Sequence, residues 1–237
     1  MDLGLSGRVV LVVGGSGYLG SAAAREFARE GAHVVLGGRD RARLETTAAE
    51  CVGSVSVVVL DTGDDASVRA AIDSVVHEHG RLDVLVNTAA PPADRLDASR
   101  DRDPAQILEA IDAKALGYLR TTVAAIPVMR AAGFGRIIQI GGQNSRLTAS
   151  VTATARNVVV DTAAKALADD LAGSGVTVNV VAPGAVLDDA PTEVALGRPG
   201  ASTPEQVAAT ILFLASESAG GISGETIAVG HRVRGVQ

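Results

Sequence analysis

Aromatic side chains and basic clusters are scarce in this 237-residue sequence. It contains no tryptophan, two tyrosines and three phenylalanines, and its 27 acidic residues outnumber its 21 lysines and arginines, for a net charge of −6. Proteins that bind nucleic acids neutralise phosphates with basic side chains and often stack bases on aromatic rings. The composition therefore argues against a nucleic-acid partner.

Cysteine and long apolar runs are also scarce. Cys51 is the single cysteine, which excludes an intramolecular disulfide and fits a reducing compartment. No apolar run approaches the roughly 18 residues of a membrane span, and the first ten residues lack the pattern of a signal peptide. His77 and His79 have no cysteine or third histidine nearby, so we expect no metal site. These features predict a cytoplasmic protein with no membrane partner.

Short β-branched runs alternate along the chain with helical patterns. The strand candidates are Arg8–Val13, Ala32–Gly37, Val55–Asp61, Leu82–Asn87, Arg136–Gly141, Val176–Val181 and Thr226–Val229. Each is a nearly continuous apolar run, which is typical of a parallel strand covered on both faces. The alternation predicts one α/β domain over residues 1–237, a Rossmann-like, doubly wound parallel sheet of about seven strands flanked by helices.

A glycine-rich loop follows the first predicted strand and leads into a helix. It consists of Gly14, Gly15, Ser16, Gly17, Tyr18, Leu19 and Gly20. Glycines allow a tight turn and let the backbone approach a diphosphate, which then binds the amide groups at the helix N-terminus. Because the loop lies between a strand and a helix, we expect it to bind a dinucleotide rather than to be a glycine-rich turn with no ligand.

The end of the second predicted strand indicates which dinucleotide is bound. A carboxylate that would bind the ribose hydroxyl of NAD is absent there, and Arg39 follows Gly37 and Gly38. A guanidinium at this place suits the 2′-phosphate of NADP, so NADP is favoured over NAD. The alternative is that Arg39 is a solvated residue at the start of a charged helix.

Further landmarks make the chain similar to the short-chain dehydrogenase/reductase family from about Leu5 to Gly230. They are Asp61 after the third strand, Asn87-Thr88-Ala89-Ala90 after the fourth, the segment Val176-Thr177-Val178-Asn179-Val180-Val181-Ala182-Pro183-Gly184, and Ile222-Ser223-Gly224-Glu225-Thr226-Ile227. The resemblance implies cofactor contacts at Asp61, Thr62, Asn87, Ala89, Pro183 and Gly184. It also implies a homo-dimer or homo-tetramer formed through two long helices, here about Pro104–Ala132 and Thr152–Ala172.

The catalytic positions of that family are changed in this chain. Its Tyr-x-x-x-Lys pair aligns with Ala153 and Asn157, and its usual serine with Gly141 and Gly142. Its asparagine aligns with Lys114, and the threonine that binds the nicotinamide amide aligns with Asp188. In the family, the tyrosine protonates the alkoxide that hydride transfer creates. An alanine cannot do so.

A rebuilt catalytic site is one interpretation of these changes. Lys114 and Asn157 are an exchanged pair relative to the family, so an ammonium would still reach the pocket from the opposite helix. Tyr118 lies one turn beyond Lys114, and the amine could lower its phenol pKa. Ser145 could supply a hydroxyl in place of the missing serine. The alternative is a solvated Lys114 and a Tyr118 that packs between helices.

Three functions are compatible with the sequence. The first is an atypical NADP-dependent oxidoreductase acting on a carbonyl or alcohol substrate. The second is a catalytically silent NADP-binding subunit or sensor. The third is a non-redox enzyme, such as a cyclase, lyase or dehydratase, on the same fold.

Overall fold

The computed structural model describes residues 2–91, 95–146, 150–191 and 200–230. Strands are β1 Val9–Val13, β2 His33–Gly38, β3 Val55–Val59, β4 Val84–Asn87, β5 Gly135–Ile140, β6 Val176–Pro183, β7 Ala185–Val186, β8 Ala201–Ser202 and β9 Thr226–Val229. Helices are α1 Tyr18–Arg29, α2 Arg41–Ala49, α3 Asp65–His79, α4 Pro104–Ile111, α5 Gly117–Ala132, α6 Val151–Asp170 and α7 Pro204–Ala215. No helix in these ranges is long and apolar enough to cross a membrane.

Seven of the strands form one sheet in the order β3-β2-β1-β4-β5-β6-β9. Every pairing in it is parallel, which confirms the predicted doubly wound sheet of about seven strands. The order reverses between β1 and β4, and ligands of such sheets bind beyond the carboxyl ends of the strands at that reversal. Val13 pairs with both Gly37 and Asn87, so the ends of β1, β2 and β4 lie side by side there.

The side chains of each central strand alternate between two apolar layers. Val10 and Val12 pack into the layer that contains Phe27 of α1 and Val207 of α7. Val9 and Leu11 face the opposite layer, which α3, α5 and α6 cover. Burial on both faces explains why the strands are continuous apolar runs rather than alternating ones. Valine, leucine and alanine fill most of both layers, which is how the chain builds a core with few aromatic residues.

One predicted helix is interrupted. The prediction of a single helix over Pro104–Ala132 is wrong in its middle, where Asp112–Leu116 forms a π-helical turn between α4 and α5. An extra residue in such a turn shifts the side chains that follow it around the helix axis. Lys114 lies in this turn and is buried, so the π-helical turn directs its amine into the molecule rather than to solvent.

Candidate active site

The glycine loop is a compact turn between β1 and α1. The amide of Gly14 donates to the carbonyl oxygen of Gly37 at 2.8 Å, and the φ of Gly14 is +84°, which favours glycine. A Cβ on Gly20 would lie 2.2 Å from the Gly14 oxygen, and one on Gly15 would lie 2.9 Å from Leu36. These close approaches explain the glycine spacing of the sequence.

The first turn of α1 leaves amide groups free to bind a ligand. Gly17 is the N-cap of the helix and provides no side-chain cap. Among the described residues, the amides of Tyr18, Leu19 and Gly20 have no acceptor, whereas Ser21 already donates to Gly17. Free N–H groups at the positive end of a helix dipole are a binding site for phosphate. The loop therefore fits the diphosphate of a nicotinamide dinucleotide, and Ser16 lies beside it, partly exposed.

The residues assigned to the adenosine end of the cofactor lie at the neighbouring strand ends. Arg39 is exposed directly after β2. Asp61 is exposed after β3, and its carboxylate accepts a hydrogen bond from the amide of Gly63 at 2.9 Å. The carbonyl oxygen of Thr62 accepts from Arg120 of α5 at 3.2 Å. The positions of Arg39 and Asp61 leave both charged groups open to a ligand.

The segment after β4 ties the glycine loop to α5. Thr88 donates its hydroxyl to the carbonyl oxygen of Val13 at 2.8 Å. The side chain of Asn87 is buried against α5, where its Oδ1 accepts from Thr121 at 2.8 Å. The predicted contact of Asn87 with the cofactor would therefore use its backbone. Ala89 is partly buried beside Gly14, whose added Cβ would lie 2.7 Å from the Ala89 amide.

A hydrogen bond joins the glycine loop to the segment that follows β6. Pro183 ends β6, and the Gly184 amide donates to Val229 of β9 at 3.2 Å. Tyr18 donates its hydroxyl to Asp188 at 2.6 Å, and this bond raises the pKa of Tyr18 to about 12. Tyr18 and Asp188 thus join the two sides of the predicted cofactor cleft, a link that sequence reasoning did not foresee.

Lys114 and Asn157 are in direct contact. The Lys114 Nζ donates to Asn157 Oδ1 at 2.7 Å and to the carbonyl oxygen of Gly141 at 2.9 Å. Burial, followed by the charge of Arg156, lowers the pKa of Lys114 from 10.5 to about 7. A Cβ on Gly142 would lie 3.1 Å from Asn157 Nδ2, so glycine leaves room for this pair. Lys114, Asn157 and Gly142 therefore belong to one local arrangement.

The lowered phenol pKa expected for Tyr118 is wrong. Burial raises the pKa of Tyr118, and only the charge of Arg156 opposes it. The amine of Lys114 lies 5.9 Å from the centre of the Tyr118 ring, but it donates to Gly141 and Asn157 rather than to the phenol. Because the hydroxyl is desolvated without a hydrogen-bonded cation, the phenolate is disfavoured.

Arg156 is a site residue that sequence reasoning missed. It lies on α6 beside Asn157, is 5% exposed, and donates from Nη1 to the Pro91 carbonyl oxygen at 2.9 Å. Its burial could not be read from the α6 sequence, because it depends on tertiary contacts such as the one with Pro91 after β4. The one available signal was a basic residue three positions after Ala153, on the same face of the helix.

Ser145 lies in a short 3₁₀ turn, Gln143–Ser145, that follows β5. Among the described residues its hydroxyl makes no hydrogen bond. It lies near Asp161 of α6, whose carboxyl pKa is raised by burial and lowered to a smaller extent by Ser145 and by the charges of Arg146 and Lys114. The structure thus places Ser145 near Asp161, the carboxylate that interacts electrostatically with Lys114. Gln143 donates instead to Val229 at 3.1 Å. Within the described ranges, no group of three potential ligands could hold a metal ion.

Comparison with known proteins identifies the family. Residues 8–196 match the family described as short chain dehydrogenase. The chain is 35% identical to a hexahydroindene-carboxyl-CoA reductase of Mycobacterium tuberculosis, covering 95% of this chain and 92% of the relative. It is 32% identical to (2S)-[(R)-hydroxy(phenyl)methyl]succinyl-CoA dehydrogenase subunit BbsC of Thauera aromatica, covering 94% and 93%. A short chain dehydrogenase structure from Mycobacterium smegmatis is 30% identical, with a TM-score of 0.83 and coverage of 97% and 93%. The chain therefore belongs to the short-chain dehydrogenase/reductase family of oxidoreductases, whose members bind a nicotinamide cofactor.

Proposed function

We propose that the protein is an NADP(H)-dependent oxidoreductase that interconverts a carbonyl compound and its alcohol, with Lys114 as the proton-transferring group. The observation that carries this proposal is the buried amine of Lys114, held by Asn157 and Gly141 with a pKa of about 7. General acids and bases are most effective when their pKa lies near the working pH.

The nicotinamide, when bound, supplies or accepts the hydride at the carbonyl carbon. In the reducing direction the electron pair of the C=O bond moves to oxygen, which must then take a proton. A neutral amine has two N–H donors and one lone pair, whereas an ammonium has three donors. Asn157 and Gly141 accept two hydrogen bonds from Lys114, so its third proton is the one to be transferred to the substrate oxygen. Solvent then returns a proton to the amine.

The choice of NADP rests on Arg39. No ion pair or hydrogen bond occupies its guanidinium among the described residues, and it is exposed at the end of β2, next to the glycine loop. A free guanidinium there can pair with the 2′-phosphate, which NAD lacks. The diphosphate would lie on the amides of Tyr18, Leu19 and Gly20. Pro183 and Gly184 would contact the nicotinamide half from the end of β6.

We also propose a homo-oligomer assembled through the outer faces of α4, α5 and α6. These faces expose the apolar side chains of Leu108, Val123 and Val158, which are 68%, 53% and 41% exposed. Apolar side chains repeated on neighbouring helices are typical of an interface between subunits. Val158→Asp should shift the mass measured by sedimentation toward the monomer, and an unchanged mass would contradict this interface.

The catalytic proposal is tested by NADPH oxidation with a panel of aldehydes, ketones and oxo acids. Lys114→Met should abolish substrate-dependent turnover while NADPH still binds. Lys165→Met is the matched control, because Lys165 is exposed on α6 and pairs with Asp169. Unchanged kinetics in Lys114→Met would refute the role of the amine.

A catalytically silent NADP-binding subunit is the second candidate. It is favoured by the buried phenol of Tyr118, which has no hydrogen-bond partner in the described part of the chain, and by the absence of any hydroxyl at Ala153. The Thauera relative, moreover, is named as one subunit of a dehydrogenase. Tight NADPH binding with no oxidation by any member of the panel would support this candidate and exclude the first.

A further inference from the structure

Three groups that carry hydrogen-bond donors are buried close together, and each keeps a donor without an acceptor. Arg156, Lys114 and Tyr118 are 5%, 4% and 1% exposed. The Nε of Arg156 and the hydroxyl of Tyr118 have no hydrogen-bond partner among the described residues. The third proton of the Lys114 ammonium has no acceptor there either. Each of the three groups thus keeps a hydrogen-bond donor without an acceptor among the described residues, although the buried Asp161 Oδ1 near Lys114 is unpaired as well.

The two cations are neighbours without a hydrogen-bonded carboxylate between them. After burial, the charge of Arg156 is the next cause that lowers the pKa of Lys114, which places the two groups within electrostatic range. Asp161 is the carboxylate that acts on Lys114, but no hydrogen bond joins it to either cation in the described ranges. Buried charges are costly unless they are paired, so an anion that bonds directly to Arg156 would stabilise this arrangement.

The free edge of Arg156 defines the shape of that anion. The Nη1 atom donates a hydrogen bond to the carbonyl oxygen of Pro91. The Nε and Nη2 atoms make no hydrogen bond with the described residues. An Nε–Nη2 edge presents two parallel N–H donors, which match the two oxygens of a carboxylate. Arg156 also lies three residues after Ala153 on one helix face, and Ala153 occupies the position of the family's proton donor. The anion site is therefore beside the reacting centre.

We propose that Arg156 binds a carboxylate on the substrate, so that the carbonyl compound reduced here is an oxo acid. This inference rests on the proposed function and adds the substrate class to it. The Nε–Nη2 edge of Arg156 holds the carboxylate, and the hydroxyl of Tyr118 donates to one of its oxygens. Lys114 transfers its proton to the carbonyl oxygen of the same molecule.

A binding experiment tests the anion site without any turnover. Acetate and its neutral isostere acetamide are titrated into the protein at constant ionic strength, and the melting temperature and heat of binding are recorded. Acetate should stabilise the wild type and acetamide should not. In Arg156→Gln the acetate affinity should fall roughly tenfold to hundredfold, as for the loss of a charge-assisted hydrogen bond.

Control variants keep the outcome interpretable. Arg130→Gln removes one exposed positive charge from the end of α5 and should bind acetate like the wild type. Arg156→Lys keeps a positive charge but lacks the two parallel N–H donors of the Nε–Nη2 edge. This variant should therefore also lose affinity for acetate while remaining folded. Equal binding of acetate by the wild type and Arg156→Gln would overturn the proposal. So would chloride or phosphate competing at the same concentration as acetate, because the site would then select charge and not a carboxylate.

Turnover then separates this inference from the proposed function. With oxo acids and their methyl esters as substrates, the wild type should prefer the acid in kcat/KM by at least roughly tenfold, and Arg156→Gln should lose that preference mainly through KM. Reduction of esters and simple ketones with no preference for acids would contradict the carboxylate site but would still support the proposed oxidoreductase function. Acetate binding without any NADPH oxidation would remove the oxidoreductase and leave the anion site standing.

Discussion

Replacing Lys114 with methionine should change how the stability of the protein depends on pH. The pKa of Lys114 is lowered from 10.5 to about 7, first of all because the amine is buried. Above pH 10.5 the amine is neutral in both the folded and the unfolded chain. Between about pH 7 and 10.5 the unfolded chain binds a proton that the folded chain does not, so the free energy of unfolding rises with pH. Below about pH 7 both states are protonated, and the full cost of the buried charge is present.

The size of this effect follows from the shift. One pKa unit corresponds to about 1.4 kcal/mol, so protonation of the folded state at Lys114 costs about 5 kcal/mol on the acid side. Between about pH 7 and 10.5 the free energy of unfolding should rise by about 1.4 kcal/mol per pH unit in the wild type. In Lys114→Met this contribution is absent. The difference between the two proteins should therefore grow in favour of the wild type by about 3 kcal/mol from about pH 7 to about pH 9.

Urea unfolding at several pH values measures this difference. The titrating groups that do not interact with Lys114 are common to both proteins and cancel when the two curves are subtracted, and Asp161 is the carboxyl that the loss of the amine also affects. Lys165→Met should give a curve parallel to the wild type, because that amine is exposed. A curve for Lys114→Met that is parallel to the wild type over the same range would show that Lys114 titrates normally, and the acid–base role proposed for it would then lose its physical basis.

Three other predictions test the cofactor site and the fold. Arg39→Ala should raise the Kd for NADPH roughly tenfold to hundredfold in a fluorescence titration and leave NADH almost unchanged; equal losses for both would contradict the 2′-phosphate contact. Gly20→Ala places a Cβ 2.2 Å from the Gly14 oxygen, so it should abolish NADPH binding, and wild-type affinity would show that the loop does not hold the diphosphate. Asp83 is buried, accepts from the Val9 amide at 2.8 Å and pairs with two arginines, so Asp83→Ala should lower the free energy of unfolding by about 3 kcal/mol; a loss under about 1 kcal/mol in urea would mean that the network is dispensable.

The predicted sheet and the observed one agree because the signals for it are local. Each central strand is buried on both faces, and this burial is visible in the sequence as continuous apolar runs such as Val9–Val13. The glycine positions could also be predicted, because a tight turn between a strand and a helix leaves no room for a Cβ at positions such as Gly15 and Gly20. The π-helical turn at Asp112–Leu116 could not be predicted, because its residues have ordinary helical propensity and differ only in hydrogen-bond register.

The candidate catalytic site was only half predictable. Family resemblance placed Lys114 and Asn157 at exchanged positions, and the structure brings the two side chains together at 2.7 Å. The protonation of Tyr118 depends on burial and on the direction of its neighbour's N–H bonds, neither of which is encoded within α5. In the sequence Arg156 looks like an ordinary basic residue of a helix, and only the folded chain buries it and joins it to the Pro91 carbonyl oxygen.

The sequence by itself determined the layout of this protein: a parallel sheet with a glycine loop at its centre. The tertiary structure decided the environment of Lys114. Hydrophobic patterning and turn geometry act between near neighbours in the chain, so they can be read in order along it. Desolvation and hydrogen-bond direction at Lys114 arise from groups distant in sequence, such as Asn157, 43 residues away. These groups set its pKa only once α6 and β5 have packed around it.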